Sequence, residues 1–187
     1  YNFHPTLGID PGSKGAIAVR DTPTTVVAMR LPFEHVLIGK TKRPRLNAQS
    51  VLDLMCSLPL LGVEFAAIEK PFGATGQSAS AAATYGEECG LIRMALVASG
   101  IPHQRVEPRL WKKALGCPTD KDAARDFATS LFPTCAHQWA AKGAHDIAEA
   151  ALIAEFAQRI FKTWQVETVN LNVMCMQKKS KRARRSK

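Results

Sequence analysis

The stretch from residue 7 to residue 19, Leu-Gly-Ile-Asp-Pro-Gly-Ser-Lys-Gly-Ala-Ile-Ala-Val, constrains the fold more than any other. An apolar run ends in a carboxylate, turns over on Pro11 and glycine, and becomes apolar again. Pro11 supplies the fixed φ of a turn corner, Gly12 and Gly15 supply positive φ or close approach, and Ile17 and Val19 resume a period of two. The pattern predicts a strand, a tight turn and a second strand. Val26 to Leu31 continues it, so residues 6 to 31 read as three short strands in an antiparallel meander. The charged side chain closing the first strand is Asp10. A carboxylate at a strand end, beside backbone without side-chain bulk, is placed to hold a divalent cation against a phosphate. An Asp before Pro-Gly also forms Asx-turns, so Asp10 gains meaning only from its company further along.

Residues 32 to 46, rich in Pro, Lys and Arg, read as a loop. A helix follows from Asn47, its N-cap, through Val51, Leu52, Met55 and Leu58, and ends before Pro59. Phe65-Ala-Ala-Ile68 is a short apolar run entered by a helical crossover, hence a buried strand parallel to an earlier one, and it ends in a second carboxylate, Glu69. Residues 78 to 98 give a long helix. Gly86 and Gly90 cost that helix about 1 kcal/mol each against alanine and are read as sites of close packing. His103 to Val106 is a further strand. Pro108 opens a short helix, another runs from near Asp120 to Leu131, and the last spans about 143 to 162. No repeat or linker interrupts residues 1 to 162, which read as one domain. Residues 163 to 187 read as an appendage with a disordered basic tail.

At 187 residues and 46% apolar composition the chain is long enough to bury a real core. No run approaches the ~18 apolar residues of a membrane span, so the domain is expected to be soluble. It opens Tyr-Asn-Phe-His rather than with a signal sequence, and Tyr1 reads as a boundary before which a targeting segment would go unseen. The five cysteines are scattered without a C-x-x-C, which argues for a reducing compartment and against structural zinc. Net charge is +9, but seven positive charges lie between Lys178 and Lys187, and without them the rest carries +2. Such a tail binds polyanions without reading sequence. More informative are Lys40, Lys42, Arg43 and Arg45, with Lys112, Lys113 and Lys121 later: separate basic segments on a compact body form a footprint for nucleic acid.

The last helix opens Lys142-Gly-Ala-His-Asp-Ile-Ala-Glu-Ala, placing Asp146 and Glu149 on one face of its first turns. Acids there also favour the helix dipole without further function, by roughly 0.3–1 kcal/mol each. Their neighbours are alanine and isoleucine, however, and acids amid such surroundings are costly unless a cation neutralises them. Asp10, Glu69, Asp146 and Glu149 therefore stand at two strand ends and one helix start. Oxygen ligation of this kind suits Mg²⁺, with Mn²⁺ able to substitute, and two such ions ~3.5–4 Å apart can clamp both oxygens of a phosphodiester displacement.

The strand ending Gly8-Ile-Asp-Pro-Gly, the strand ending Ile68-Glu69 and the helix Asp146-Ile-Ala-Glu-Ala-Ala-Leu-Ile-Ala together resemble the RuvC-type Holliday-junction resolvases of the RNase H-like superfamily, over residues 5 to 160. The resemblance implies an α/β fold with a five-stranded mixed sheet, three strands antiparallel and the rest parallel, flanked by helices. It also implies a homodimer that resolves four-way junction DNA by paired metal-dependent nicks during recombination. The bacterial pattern closes on Asp-x-x-Asp, whereas this chain has Asp146-x-x-Glu149. That Glu, His145 and the basic tail make the chain most similar to the plant and algal monokaryotic-chloroplast resolvase, which implies a plastid location and a role in organelle genome segregation; a bacterial cytoplasm or mitochondrion is the alternative. Lys121 matches a catalytic-region lysine of the family, and otherwise reads as a solvated first-turn residue. His145 is expected to orient a ligand or a water. Phe72 matches an aromatic that wedges at the junction, and Lys14 in the first turn joins the DNA-binding set. Asp10-Pro-Gly-Ser-Lys-Gly also resembles the first phosphate loop of actin-like phosphotransferases, but a second such loop and a duplicated domain are missing. Transposase-type and pre-ribosomal-RNA nucleases on the same fold remain alternatives.

Overall fold

A computed structural model describes residues 3–70 and 78–163. Three strands come first, β1 (Thr6–Asp10), β2 (Ala16–Arg20) and β3 (Val26–Arg30). A pair follows, β4 (Phe33–Ile38) and β5 (Thr41–Leu46), then α1 (Ala48–Ser57) and β6 (Phe65–Glu69). The rest is α2 (Ala79–Ala98), β7 (His103–Val106), α3 (Pro108–Leu115), α4 (Lys121–Leu131) and a final helix, α5, over residues 145–163. Phe72 and the basic tail lie outside the described residues.

The main sheet runs β3-β2-β1-β6-β7, with β1, β2 and β3 antiparallel and β6 and β7 parallel to β1. This is the five-stranded mixed sheet expected from the sequence. Side chains alternate across it, so each strand feeds two cores. Leu7, Ile9, Ile17, Ala66 and Ile68 pack with Val51 and Met55 of α1 and Ile92 and Leu96 of α2. Ala16, Ala18, Phe65 and Ala67 face the other way, onto α3, α4 and the Ala-rich α5. Leu7 and Ile9 thus fix which side Thr6, Gly8 and Asp10 face: that of α5.

Gly8 makes this arrangement possible. A Cβ built on it would overlap the backbone of Ala150 and Ala154 and stand 2.7 Å from the carbonyl carbon of Ile153. The α5 backbone therefore lies directly on β1, and Thr6 stitches the two together by donating from Oγ1 to the Ala154 carbonyl at 3.1 Å.

Caps fall where side-chain chemistry places them. Asn47 accepts from the Ser50 amide at 2.9 Å, Ser78 from Ala81 and Asp120 from Ala123. Two expectations fail. Residues 32 to 46 are not a loop, because β4 and β5 pair in register from Phe33 with Leu46 to Ile38 with Thr41. Neither strand shows a buried alternation, and Pro44 within β5 masks the pattern, since a ribbon open on both sides needs no apolar face. Gly86 and Gly90 are not packing sites within the chain either: among the described residues, nothing lies within 4 Å of a Cβ added at either.

Candidate active site

The Asp10-Pro-Gly-Ser-Lys-Gly turn closes by a bond from the Gly15 amide to the Gly12 carbonyl at 2.8 Å. Gly12 takes φ +121°, and a Cβ on Gly15 would stand 2.8 Å from the carbonyl carbon of Pro11, so both glycines are required by the turn. The parallel register of β1 and β6 pairs Gly8 with Ala67 and Ile9 with Ile68, so the next step sets Asp10 beside Glu69 on the α5 side. The close seat of α5 on Gly8 then brings its first turns over that sheet edge. Ligand oxygens of Asp10, Asp146 and Glu149 lie within 4.8 Å of one another. All four acids line one cleft of about 870 Å³, with Lys14, Arg43, Arg45 and Lys121 also on its walls.

The acids differ in how they are compensated. Glu69 accepts from the indole Nε1 of buried Trp111 at 2.7 Å. Burial still raises its pKa; Trp111 pulls it down and Glu149 pushes it up. Glu149 is paired with Lys112 Nζ at 2.6 Å, with the two side chains only 13% and 16% exposed. Burial works to lower the Lys112 pKa, but the hydrogen bond and charge of Glu149 outweigh it and leave the ammonium raised. Asp146 lies 3.5 Å from Arg30 Nη1 and 3.9 Å from Lys121 Nζ. Arg30 also donates to the carbonyls of Lys14 and Gly143, and so ties the first turn to the approach of α5. Asp10 receives no hydrogen bond from a side chain among the described residues. Burial raises its pKa well above the ordinary carboxylate range, Glu69, Glu149 and Asp146 raise it further, and Lys121 opposes them. An acid so placed calls for a cation, and three converging carboxylates fit a hard divalent ion.

Other residues singled out from sequence fall in varied places. Lys14 and Lys121 stand exposed at the cleft. Lys40 and Lys42 are exposed on the β4–β5 ribbon, and Lys113 on α3. Lys112 is turned inward to Glu149 rather than outward to solvent. The His145 ring faces Asp122, with Nδ1 3.8 Å from Oδ1, and it does not line the cleft. Trp111 and Arg30, which orient the acids, carried no sequence signal, because an indole or guanidinium reaching a carboxylate is set by tertiary geometry. On α2, Tyr85, Glu88 and Cys89 were legible only as helix positions. Burial raises the pKa of all three, that of Cys89 to about 11, and Tyr85 and Glu88 form the cleft wall opposite α5.

No protein-family model matches the chain, and no curated protein matches it. Solved structures do. RuvC of Thermus thermophilus in complex with a Holliday junction substrate superposes with a TM-score of 0.55 at 18% identity, covering 87% of this chain and 96% of that one. A second Thermus thermophilus RuvC structure gives 0.52 at 17%, covering 86% and 96%. The fold is that of RuvC, within the RNase H-like class.

Proposed function

We propose that the protein is a metal-dependent, structure-selective DNA endonuclease that resolves four-way junctions, a RuvC-type enzyme most like the plant and algal chloroplast resolvase. The observation that carries this reading is the meeting of Asp10, Asp146 and Glu149 within 4.8 Å, in a cleft whose walls also carry Lys14, Arg43, Arg45 and Lys121. When bound, two divalent cations, Mg²⁺ or Mn²⁺, would polarise the scissile phosphodiester and activate a water. The chain's own residues do the rest. Asp10, Asp146 and Glu149 supply oxygen ligands, and Glu69, held by Trp111, completes the acidic rim. Lys112 fixes the Glu149 rotamer, so the ligand is in place before a cation arrives. Lys121, 64% exposed at the mouth, meets phosphate charge. On this reading the enzyme serves recombination and genome segregation in plastids.

The test is incubation with Mg²⁺ and a synthetic immobile four-way junction, with duplex, fork and RNA controls. The expected products are two nicked duplexes from the junction alone. Cutting of RNA, or of duplex as fast as junction, would favour another nuclease of the same fold.

Two opposed nicks in a two-fold substrate are most simply made by a two-fold enzyme. Along α2, Ile92, Ala95 and Leu96 are buried in the chain's own core, while Met94 and Val97 are exposed. Gly86 and Gly90, open around their Cα atoms, lead into that outer stripe, which is where we place the dimer contact. Sedimentation at micromolar concentration should show about twice the 20.4 kDa of one chain. Monomers alone, free and junction-bound, would defeat the dimer.

A further inference from the structure

We infer that the cleft-facing side of the β4–β5 ribbon grips one unstacked DNA strand beside the acids, with phosphates on Arg43 and Arg45 and base or sugar faces on Val36 and Ile38. The inference rests on the nuclease reading and names the element that would give it structure selectivity. In an antiparallel pair, residues directly opposite share a face. The register Glu34 with Arg45, Val36 with Arg43 and Ile38 with Thr41 therefore gathers these six on one side, where Glu34 stands opposite Arg45 at the foot and Arg43 lies further out among Val36, Ile38 and Thr41. Ile38, Arg43 and Arg45 line the cleft, so this is the side turned toward the acids. Leu37 and Lys42 point away with Phe33 and His35, whose rings meet edge to face.

The ribbon has a fixed base and an unsatisfied face. Arg45 donates from Nη2 to Thr84 Oγ1 of α2 at 3.3 Å. Beside it, Glu88 is almost wholly buried, and its carboxyl interacts with the backbone of Leu46 and Ser13. Glu88 thus lies between the foot of the ribbon and the turn that follows Asp10, with its Oε1 unpaired among the described residues. Further out, Arg43 has no ion pair among the described residues, and Val36 and Ile38 are 40% and 47% exposed. An isolated two-stranded ribbon is marginal in water, and aliphatic side chains held open over a cleft gain from covering.

The pattern of charges and methyl groups selects the occupant. Guanidinium groups suit phosphates, whereas valine and isoleucine gain nothing from phosphate. A duplex hides its base faces in the stack and offers phosphates outside. An unstacked strand offers both phosphates and base faces. The cleft, about 870 Å³, has room for a short run of nucleotides beside the acids.

The test uses the full chain without divalent metal, and a four-way junction carrying 2-aminopurine at the crossover. Anisotropy of a label on a distal arm reports binding, and 2-aminopurine fluorescence reports unstacking. Wild type should bind and raise the fluorescence. Val36→Ser with Ile38→Ser should bind within a few-fold of wild type yet lose most of that rise; both positions are exposed, so circular dichroism should be unchanged. Arg43→Ala should weaken binding about tenfold and lower the salt dependence by about one counterion. An undiminished rise in the double serine variant overturns the role of the ribbon while leaving the nuclease reading intact. Conversion of a dimer to a monomer by the same variant overturns it too, since the aliphatic pair would then belong to a second copy. Failure of wild type to bind any branched DNA overturns the nuclease reading itself, and the inference with it.

Discussion

Asp10→Asn is expected to abolish junction cutting, by on the order of 10³-fold or more, while leaving junction affinity close to wild type. The substitution keeps the side chain's size and removes the charge on which the acidic cluster converges. Replacing one of three converging carboxylates by a neutral amide forfeits several kcal/mol of electrostatic stabilisation, and each ~1.4 kcal/mol is a factor of ten in rate. Affinity should survive because the basic walls, Lys14, Arg43, Arg45 and Lys121, are untouched. Cutting by this variant at wild-type rate would sink the nuclease assignment.

The same variant carries a pH signature. Burial and three neighbouring acids raise the Asp10 pKa in the folded chain, so the folded state holds that proton more tightly than the unfolded one. Its contribution to stability is fully present below the ordinary Asp pKa of about 3.9 and is lost as pH rises through the raised value. Metal-free wild type should therefore lose stability from mildly acidic to neutral pH. Asp10→Asn should melt higher than wild type at neutral pH, with a flatter pH profile. Mg²⁺ should close the gap by stabilising wild type and not the variant. Equal melting temperatures across the pH range, with and without Mg²⁺, would show that Asp10 is not strained by its neighbours.

The sequence made legible whatever depends on period and capping. Leu7 and Ile9 reveal a buried strand face, Asn47, Ser78 and Asp120 announce helix starts, and Pro59 and Pro133 fall just past helix ends. Of the four acids, Asp10, Asp146 and Glu149 meet within 4.8 Å, because a strand end and a first helical turn are recognisable locally and need only one tertiary contact to meet. Glu69 is the exception: its neighbour across β6, Trp111, lies 42 residues on and turns its carboxylate toward the indole. The ribbon of β4 and β5 stayed hidden for a different reason. Both of its faces lie largely open, so the buried alternation that marks a strand is missing. Lys112 shows the limit of reading charge from sequence. Composition treats it as one of several basic side chains, yet its ammonium is an internal partner of Glu149.

Gly8→Ala is expected to be, with Gly15→Ala, among the most damaging single-methyl changes at the described residues. Elsewhere in a strand, alanine improves on glycine by roughly 0.5–1 kcal/mol. Here the new Cβ would occupy the space of the α5 backbone at Ala150, Ile153 and Ala154. A side chain could rotate away from such a contact, but helix backbone cannot, so α5 must lift from β1 and strain the Thr6 bond to Ala154. Overpacking of this kind costs about 1–3 kcal/mol, and the cost should fall at the upper end because two rigid elements must part. Ala154→Gly should not rescue it, since the conflict is with the backbone nitrogen of residue 154 and not with its methyl group. Function should fall further than stability. Asp146 and Glu149 ride on the first turns of α5, and raising the helix withdraws both from Asp10. Urea midpoints should then show the loss of stability, and Mg²⁺ should raise the melting temperature of Gly8→Ala far less than that of wild type. A variant that folds as stably as wild type and responds fully to Mg²⁺ would show that the seat of α5 on Gly8 does not set the geometry of the acids.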